Sequence, residues 1–366
     1  MKILLHGAIS GTNFGDCLFA GMFYDNLIKQ FGKENIYFFD IPPFGIGNHV
    51  KEGLQYRRKL MLSDYRNIDA LVYISGGYFG DGNKSIKASI IRYFRYLLLG
   101  LFAINRKINI YVIGLEVGPI HHKFVRNAVK KILTKSKMVI VRNEDSLKYT
   151  EKLSVQNVIC SADTAISISE GDYCGKESDS TIELLKQINK KIIFLHMLPF
   201  DTVDISFIGK IIRPLIEFIK KHEDYCVVYG TDGGKKENSF EPLVSCFKDN
   251  NIVLYKHKYT NWYDMCYFLS KVNIIVTRKL HVGIIGARFG KSVISTPMHL
   301  YKTMRFYKQI GEAGRCVQYD KLTNETLYTL LDEYAEKNIT IPESVIAQAN
   351  QNIELLIKAL NESEEI

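Results

Sequence analysis

The chain has 366 residues, of which 46% are hydrophobic, and a chain of this length usually forms two globular domains rather than one. Its formal net charge of +9 favours an anionic partner, but its basic residues are dispersed and it carries no common nucleic-acid-binding motif, so nucleic acid is not expected. No uninterrupted apolar run is long enough to span a bilayer, and residues 1–16 lack a signal-peptide pattern, so the sequence predicts a cytoplasmic protein.

Apolar runs of strand length, each followed by a stretch with helical spacing, recur along the chain. The first group is KILLHG, NIYFFD, ALVYISGG, INIYVIGL and KMVIVRN, and the second is KIIFLHM, YCVVYG, NIIVTR and SVISTP. This alternation predicts an α/β protein with two Rossmann-like, doubly wound domains. A polar stretch at 169–180 predicts a linker, which gives domains at 1–175 and 176–366. Residues 342–361 predict an amphipathic helix that can cross back to the first domain.

The first candidate loop is GAISGTNFGD at 7–16, which follows the first predicted strand. Ligands of open α/β sheets bind at the carboxyl ends of strands. Asn13 and Gly15 lie just before a helix expected to start near Cys17, where free backbone N–H groups can hold an anion. Asp16 is equally well explained as the N-cap of that helix.

The second candidate loop is SGGYFGDGNKS at 75–85, which contains Gly76 and Gly77. It is long enough to line a cleft and flexible enough to close over a ligand. A glycine-rich connection without a binding role explains it as well.

A third strand end carries Arg142, in VIVRNEDSLKY. A guanidinium at the end of a strand can bind a carboxylate or phosphate through two hydrogen bonds. A structural pair with a nearby acid such as Asp163 is the alternative.

The largest group of cations follows a later strand, in VTRKLHVGIIGARFGKSVIST at 276–296. A helix beginning near Leu280 would bring Arg278, Lys279 and His281 to its positive end, which predicts an anion pocket. A solvated basic face is the alternative, but VGIIGA is too apolar for an exposed helix. The next strand end adds two further cations, Lys302 and Arg305.

The order of these motifs resembles the polysaccharide pyruvyl transferase family over about residues 3–311. The matching motifs are GTNFGD at 11–16, Gly76-Gly77, GLEVGP, VRNEDS, SAD ending at Asp163, a basic residue before Leu280-His281, and Tyr301-Lys302. The resemblance implies a GT-B-like fold with a cleft between two Rossmann-like domains. It also implies transfer of the carboxyvinyl unit of phosphoenolpyruvate to a sugar of a bacterial-type surface polysaccharide or its lipid-linked precursor, with release of phosphate.

Two positions depart from the usual pattern of this family. Lys279 stands where the family usually has arginine, and Arg278 comes one residue earlier. Lysine cannot form the bidentate pair that arginine forms with a carboxylate, so Arg278 takes over that role, or the donor contact is looser, or the donor differs. Tyr78 stands where a third glycine is common.

The resemblance and the chemistry of ketal formation together assign roles. A proton carrier near neutral pH calls for histidine, here His281, and a carboxylate that deprotonates the sugar hydroxyl is Asp16, held across the cleft. The donor's carboxylate and phosphate call for several cations. The donor set is Arg142, Arg278, Lys279, Leu280 and Lys302, and the loop residues of the acceptor side and cleft are Asn13, Gly15, Gly76 and Gly77.

This scheme needs no cofactor and no metal, with phosphoenolpyruvate as a substrate. The seven cysteines form no CxxC pair, and the adjacent His121 and His122 would point apart on a helix. The main alternative function is a glycosyltransferase with a nucleotide-sugar donor, for which Glu312 is a weak sugar-binding candidate. A non-enzymatic protein that binds a phosphorylated metabolite is the second alternative.

Residues 84–107, KSIKASIIRYFRYLLLGLFAINRK, combine apolar residues at helical spacing with interleaved basic and aromatic residues. Such a segment can lie at a membrane interface, which would attach the enzyme to the inner face of the membrane near a lipid-linked acceptor. A helix packed on the first sheet, with its basic residues in solvent, is the alternative, and the two can coexist.

Overall fold

The computed structural model describes residues 1–58, 64–80, 85–198, 201–233, 240–298 and 300–364. The chain divides into two compact units. The first comprises Met1–Gly11, Asp16–Ser167 and Glu343–Ile366, and the second comprises Thr12–Gly15 and Ile168–Pro342.

The first unit is built on a parallel sheet. Its strands are β1 Ile3–His6, β2 Ile36–Phe38, β3 Ala70–Tyr73, β4 Gly76–Phe79, β5 Asn109–Val117, β6 Met138–Val141 and β7 Val158–Cys160. They form a seven-stranded sheet in the order β2-β1-β3-β5-β6-β7, with β4 also paired to β5. Strands β1 and β3 are buried along their whole length, because helices cover both faces of a parallel sheet.

The helices of the first unit follow its strands. They are α1 Phe14–Phe31, α2 Asn48–Gly53, α3 Ile86–Arg92, α4 Leu98–Asn105, α5 Lys123–Lys135 and α6 Glu144–Lys152, and a π turn at Tyr93–Leu97 joins α3 to α4. Helix α1 begins at Phe14, earlier than the predicted start near Cys17. Asp16 therefore lies within the first turn and is not the N-cap; a carboxylate there is favoured by the helix dipole.

The second unit has its own parallel sheet. Its strands are β8 Lys191–Met197, β9 Tyr225–Thr231, β10 Leu254–Lys256, β11 Ile274–Thr277 and β12 Ser292–Ser295, in the order β10-β9-β8-β11-β12. Its helices are α7 Glu170–Tyr173, α8 Asp179–Gln187, α9 Ile205–Phe207, α10 Arg213–Lys221, α11 Glu241–Asp249, α12 Trp262–Lys271, α13 Leu280–Arg288, α14 Leu300–Gln309 and α15 Asn324–Tyr334. The predicted class of two parallel α/β domains is confirmed.

The division between the units differs from the predicted boundary after residue 175. It falls between Ser167 and Ile168, and the stretch predicted as a linker contains helix α7 and the start of α8. Ser169 and Asp172 form a capping box that starts α7. Capping residues define this short helix, so a search for apolar periodicity does not detect it.

The last helix of the chain, α16 Glu343–Glu364, belongs to the first unit. Asn352 Nδ2 donates hydrogen bonds to Ala162 O at 3.0 Å and to Thr164 Oγ1 at 2.8 Å. Ser161 Oγ donates to the carbonyl oxygen of Gln348 at 2.6 Å. The chain thus returns to the first unit after completing the second.

The stretch Ile86–Asn105 is 20 residues long, and among the described residues it is the one helix with the length and apolar composition of a membrane span. The sequence interpretation excluded a membrane span here because the uninterrupted apolar run is short, and predicted instead a helix over 84–107 that lies at a membrane interface or packs on the first sheet. One side of the stretch is buried on the first sheet, where Leu97 and Ala103 belong to the core. Packing on the sheet accounts for this side of the stretch only.

Candidate functional site

Three neighbouring strands of the second sheet bring polar side chains to one edge. Strand β8 lies between β9 and β11, and His196 is aligned with Gly230 on one side and with Thr277 on the other. Asp232 directly follows β9. Because the carboxyl ends of parallel strands meet at the same edge, these residues converge where α/β sheets bind ligands.

Asp232 links this edge to the loop Thr12–Gly15, which belongs to the same unit. Its carboxylate is buried, and Oδ2 accepts a hydrogen bond from the backbone N–H of Phe14 at 3.1 Å. The same oxygen lies 3.3 Å from Nζ of Lys279. Asp232 therefore holds both the loop and the cation that follows β11.

His196 lies between Asp232 and Thr277 and is buried. Its Nε2 is 3.8 Å from Oδ1 of Asp232, and its Nδ1 is 3.2 Å from Oγ1 of Thr277. Burial lowers the pKa of His196 to about 4, although Asp232 opposes this shift; Lys279 adds to it. At neutral pH His196 is thus uncharged, and it lies as a neutral polar group between Asp232 and Thr277.

Lys279 is the most accessible cation of this network. It occupies the N-cap position of α13, and its backbone N–H donates to Thr277 Oγ1 at 3.0 Å. Its ammonium pairs with Asp232 and donates to Asn13 Oδ1 at 3.4 Å, while 26% of the side chain stays exposed. An ammonium has three N–H groups, so Lys279 can hold an external anion while keeping these contacts.

His281 packs directly against Gly15. It lies in the first turn of α13, and a Cβ atom at Gly15 would overlap the imidazole ring at Nδ1. Glycine is therefore required at this position by the close approach of the ring. Lys279 and His281 are the predicted site residues that the structure brings together, with Asn13 and Gly15 in contact with them.

Asn13 and Gly15 were predicted on the side of the N-terminal domain. The structure instead groups them with the second unit, through the contacts to Lys279 and His281. The sequence pattern could not reveal this because the contact partners come from the other end of the chain.

Arg278, next to Lys279, is committed to a different interaction. Its guanidinium donates to Asp201 and lies over the ring of Tyr319 at 4.2 Å from the centroid. Only 7% of its side chain is exposed. Burial raises the pKa of Asp201, and the neighbouring Arg278 opposes that shift. Of the two adjacent cations, Lys279 is the one available to a ligand.

The apolar sequence after His281 forms the buried body of α13. Residues Val282 to Ala287 are all buried, and a Cβ at Gly286 would overlap the side chain of Ile275 in β11. This excludes the alternative of a solvated basic helix. Leu280, the first residue of α13, is half-buried.

Arg142 does not belong to this group. It lies in the first unit, where its guanidinium donates to Glu116 and, at 2.9 Å, to Asp163 Oδ2. All three side chains are buried. The structural alternative, a pair with Asp163, is confirmed, and Arg142 is removed from the donor set because its donors face two carboxylates.

Four other predicted residues lie elsewhere. Asp16 belongs to the first unit and Lys302 is exposed near the start of α14. Gly76 and Gly77 begin strand β4, where Gly76 is aligned with Leu115, so they form part of the sheet and not a loop. The rest of that predicted loop, 81–84, lies outside the described residues.

The sequence interpretation missed Asp232, His196 and Asp201. Asp232 comes two residues after YCVVYG and precedes two glycines, so inspection of that strand end would have found it. Asp201 and His196 are recognisable only through their partners in space. Glu312, the weak candidate for a donor-sugar ligand, accepts from Arg315 Nε at 2.6 Å and is part of a structural pair.

Within the described ranges, no group of three or more His, Cys, Asp or Glu side chains has the arrangement of a metal site. The polar groups at the strand edge are instead a carboxylate, an ammonium and imidazoles. These groups can bind an anion and carry a proton.

The sequence model of the polysaccharide pyruvyl transferase family matches residues 13–297, which include Asn13, Asp232, Lys279 and His281. Because the match covers most of the chain, this protein belongs to the polysaccharide pyruvyl transferase family and is a transferase of polysaccharide biosynthesis. No curated protein sequence matches the chain.

Several solved structures with a similar fold are UDP-N-acetylglucosamine 2-epimerases. UDP-GlcNAc 2-epimerase from Neisseria meningitidis bound to UDP-GlcNAc has a TM-score of 0.65 and 14% identity, covering 99% of this chain and 100% of its own. A putative UDP-N-acetylglucosamine 2-epimerase from Listeria monocytogenes has a TM-score of 0.62 and 12% identity, covering 99% and 98%. The Methanocaldococcus jannaschii UDP-GlcNAc 2-epimerase with UDP-GlcNAc and UDP has a TM-score of 0.57 and 11% identity, covering 98% and 100%. At such identities the similarity concerns the fold alone, and it confirms the predicted GT-B-like class.

Proposed function

We propose that this transferase uses phosphoenolpyruvate as donor and forms a pyruvate ketal on a sugar of a bacterial-type surface polysaccharide or its lipid-linked precursor. One observation carries the proposal. His281, a proton carrier, lies in the first turn of α13, directly after the accessible cation Lys279, and it packs against Gly15. Donor chemistry needs both groups close together, because a carbon must be protonated while an anion is held.

The reaction balances without a cofactor. A proton from His281 is added to the methylene carbon of phosphoenolpyruvate, and positive charge develops at C2. Two hydroxyl oxygens of the acceptor form bonds to C2, the bond from C2 to the phosphate oxygen breaks, and phosphate leaves. The two hydroxyl groups release two protons. One reprotonates His281, and the other leaves with phosphate or enters solvent.

Lys279 is the donor-binding cation in this scheme. It fills the place of the family's arginine, since Arg278 is held by Asp201 and Tyr319. A lysine makes a point contact and not a bidentate one, so a single oxygen of the donor's carboxylate or phosphate binds it. The N-terminal turn of α13, which contains Leu280 and His281, adds the favourable end of a helix dipole.

Asp16 is the proposed base for the acceptor hydroxyl. This role rests on the family resemblance and on its position one residue after Gly15. Lys302 is a proposed second contact for the donor, on the grounds of the family resemblance of Tyr301-Lys302.

The compartment is proposed to be the cytoplasm. All seven cysteines are free thiols, which is the usual state in a reducing compartment. Lipid-linked sugar precursors at the inner face of a membrane would be accessible from there.

Incubation with phosphoenolpyruvate and with nucleotide sugars, each followed by thermal unfolding, tests the donor. A ligand at about a hundredfold excess over its dissociation constant stabilises the folded state by ~2.7 kcal/mol. We expect stabilisation by phosphoenolpyruvate, and about half of that stabilisation in Lys279→Ala at the same ligand concentration. Stabilisation by a nucleotide sugar alone would contradict the proposal and support a glycosyltransferase. Phosphate release that requires both phosphoenolpyruvate and a saccharide would then demonstrate the transfer itself.

A further inference from the structure

The helical stretch Ile86–Asn105 exposes a row of large apolar side chains, which we name the apolar stripe. Its members are Ile86, Ile90, Phe94, Leu98 and Phe102, each four residues after the last and each between 39% and 60% exposed. Residues four apart on a helix are neighbours on its surface. The π turn at Tyr93–Leu97 widens the helix in the middle of the row, so Phe94 and Leu98 stay on the same side.

The opposite side of the stretch holds it to the first sheet. Ser89, Leu97, Gly100 and Ala103 are buried, and Gly100 lies so close to the side chains of Tyr73 and Ile132 that a Cβ would clash. The fold therefore uses one face of the stretch and leaves the apolar stripe without a role in the core. An exposed apolar patch of this extent indicates an interaction site.

The charge around the apolar stripe is strongly positive. Residues 85–141 contain eleven lysines and arginines and one acid, Glu116, which is buried against Arg142. The net charge of the whole chain is +9, so this segment alone supplies the basic character of the protein. Basic residues occur along the whole chain, but their excess over acidic residues is concentrated in this part of the first unit.

Helix α5 extends this surface. The rings of Tyr93 and Phe124 lie 5.6 Å apart, and Phe124 is itself an exposed apolar residue beside the stripe. The exposed side of α5 carries cations. We name four of them the basic rim: Lys123, Arg126, Lys130 and Lys131.

We propose that the apolar stripe and the basic rim together bind the surface of an anionic lipid bilayer. The apolar side chains would enter the boundary between headgroups and acyl chains, and the cations would contact anionic headgroups. A second copy of this chain is a poorer occupant, because pairing through the same surface would bring two basic rims together. The charge of the surface favours the lipid.

The binding is interfacial and not transmembrane. The stretch leads from β4 to β5, which are paired in one sheet, and its buried side packs on that sheet. A bilayer cannot surround a helix that is covered on one side by the protein core. The surface therefore fits a protein that lies on the membrane.

This inference goes beyond the proposed function and does not depend on it. It requires only that the folded protein meets a bilayer, and its test does not use enzymatic activity. If both hold, the enzyme works beside the lipid that carries its acceptor.

Co-sedimentation with vesicles tests the proposal. We expect the protein to sediment with vesicles that contain phosphatidylglycerol at low salt, to be released by high salt, and to stay in solution with pure phosphatidylcholine. Each basic residue near an anionic surface contributes about fivefold in partitioning. Replacing Lys123, Lys130 and Lys131 by Gln should therefore weaken binding about a hundredfold. The matched control replaces Lys186, Lys190 and Lys308, exposed lysines of the second unit, and should bind like the wild type.

The apolar contribution is tested separately by Ile90→Ser, Phe94→Ser and Phe102→Ser in one variant. This change should abolish sedimentation while the protein stays folded, which its thermal unfolding transition checks. Its control is Ile205→Ser, Val244→Ser and Val253→Ser, three exposed apolar residues of the second unit.

Three outcomes would overturn the proposal. The first is no sedimentation with anionic vesicles at low salt, and the second is equal sedimentation with neutral vesicles or with the stripe variant. The third is a concentration-dependent dimer, seen by light scattering, that the stripe variant converts to a monomer; it would identify a second copy as the occupant.

Discussion

Two cations that follow buried strands, one in each unit, have opposite surroundings. Arg142 comes directly after β6, is 6% exposed and faces two carboxylates, Glu116 and Asp163. Lys279 comes shortly after β11, keeps 26% of its side chain exposed and pairs with one carboxylate, Asp232. In sequence the two look alike, because each is a basic residue between a strand and a helix.

The difference shows what separates a structural cation from one that can bind substrate. Around Arg142 the formal charges sum to negative, so an additional anion would be repelled. The pair of Lys279 and Asp232 is neutral, and the ammonium reaches solvent. Burial and the number of acids decide the role of such a cation, and both are set by residues far away in sequence.

The largest effect is expected from removing the buried cation. Arg142→Met leaves two buried carboxylates without a partner, which should lower the free energy of unfolding by about 3–5 kcal/mol. Denaturant unfolding measures it. Adding Glu116→Gln and Asp163→Asn to this variant should restore much of the loss, because the uncompensated charges are removed. A stability equal to the wild type in Arg142→Met alone would mean that the triad is not structural.

The next effect concerns catalysis at the more open site. His281→Ala should lower kcat by about a hundredfold, as expected for the loss of a general acid, with little change in melting temperature. Steady-state phosphate release measures it. Full activity would remove His281 from the mechanism.

Gly15→Ala offers a second way to disturb His281 without deleting a functional group. The added methyl would displace the imidazole, so kcat should fall about tenfold or more while the histidine remains, since misplacement by about 1 Å can cost that much. Gly209→Ala, where nothing lies within 4 Å of the new atom, is the matched control and should leave kcat unchanged. Equal activities in both would refute the contact.

A pH effect of smaller size should appear in stability. The folded pKa of His196, about 4, is below the ordinary value of 6.5 because burial disfavours its charged form. The unfolded chain therefore binds the extra proton first, and stability present above pH 6.5 is lost as pH falls towards 4. Between pH 7 and 5 the loss should be about 2 kcal/mol.

Denaturant unfolding of the second unit at the two pH values measures this loss. His196→Gln should reduce it, whereas His121→Gln, at an exposed position, should not. An unchanged pH dependence in His196→Gln would show that this imidazole is not the group responsible.

The smallest effect on activity, a change in the donor KM, should separate the two neighbouring cations. Lys279→Ala should raise the donor KM about tenfold, in line with the loss of one charge-assisted hydrogen bond. Arg278→Ala should mainly lower stability, because it leaves Asp201 buried without its partner. Lys279→Arg should be tolerated. The reverse pattern, with donor KM sensitive to Arg278 and indifferent to Lys279, would move the donor role by one residue.

The sequence predicted the repeating strands and helices, and with them the fold class, because burial of apolar runs is a local pattern. It also located Lys279 and His281, since both follow a recognisable strand and begin a helix. It could not identify Glu116 as a partner of Arg142 or Asp232 as a partner of Lys279. Those pairs depend on strand order, which apolar patterns do not encode.

The same limit explains the errors in organisation. Gly76 and Gly77 looked like a loop because glycine is rare in strands, yet they pair beside β5. The short helix α7 looked like a linker, since its start depends on a capping box of polar residues. Sequence patterns detected elements with an apolar face and missed those held by backbone or polar contacts.

The return of α16 to the first unit has a consequence for biosynthesis. All residues of the second unit have been synthesised once the chain reaches residue 342, whereas the first unit also needs Asn352, which donates a hydrogen bond to Ala162 beside β7. At a synthesis rate of about 5–20 residues per second, the stretch from residue 342 to Asn352 takes about 0.5–2 s. Translation therefore reverses the order of the units: the one that is begun first is the last to be completed.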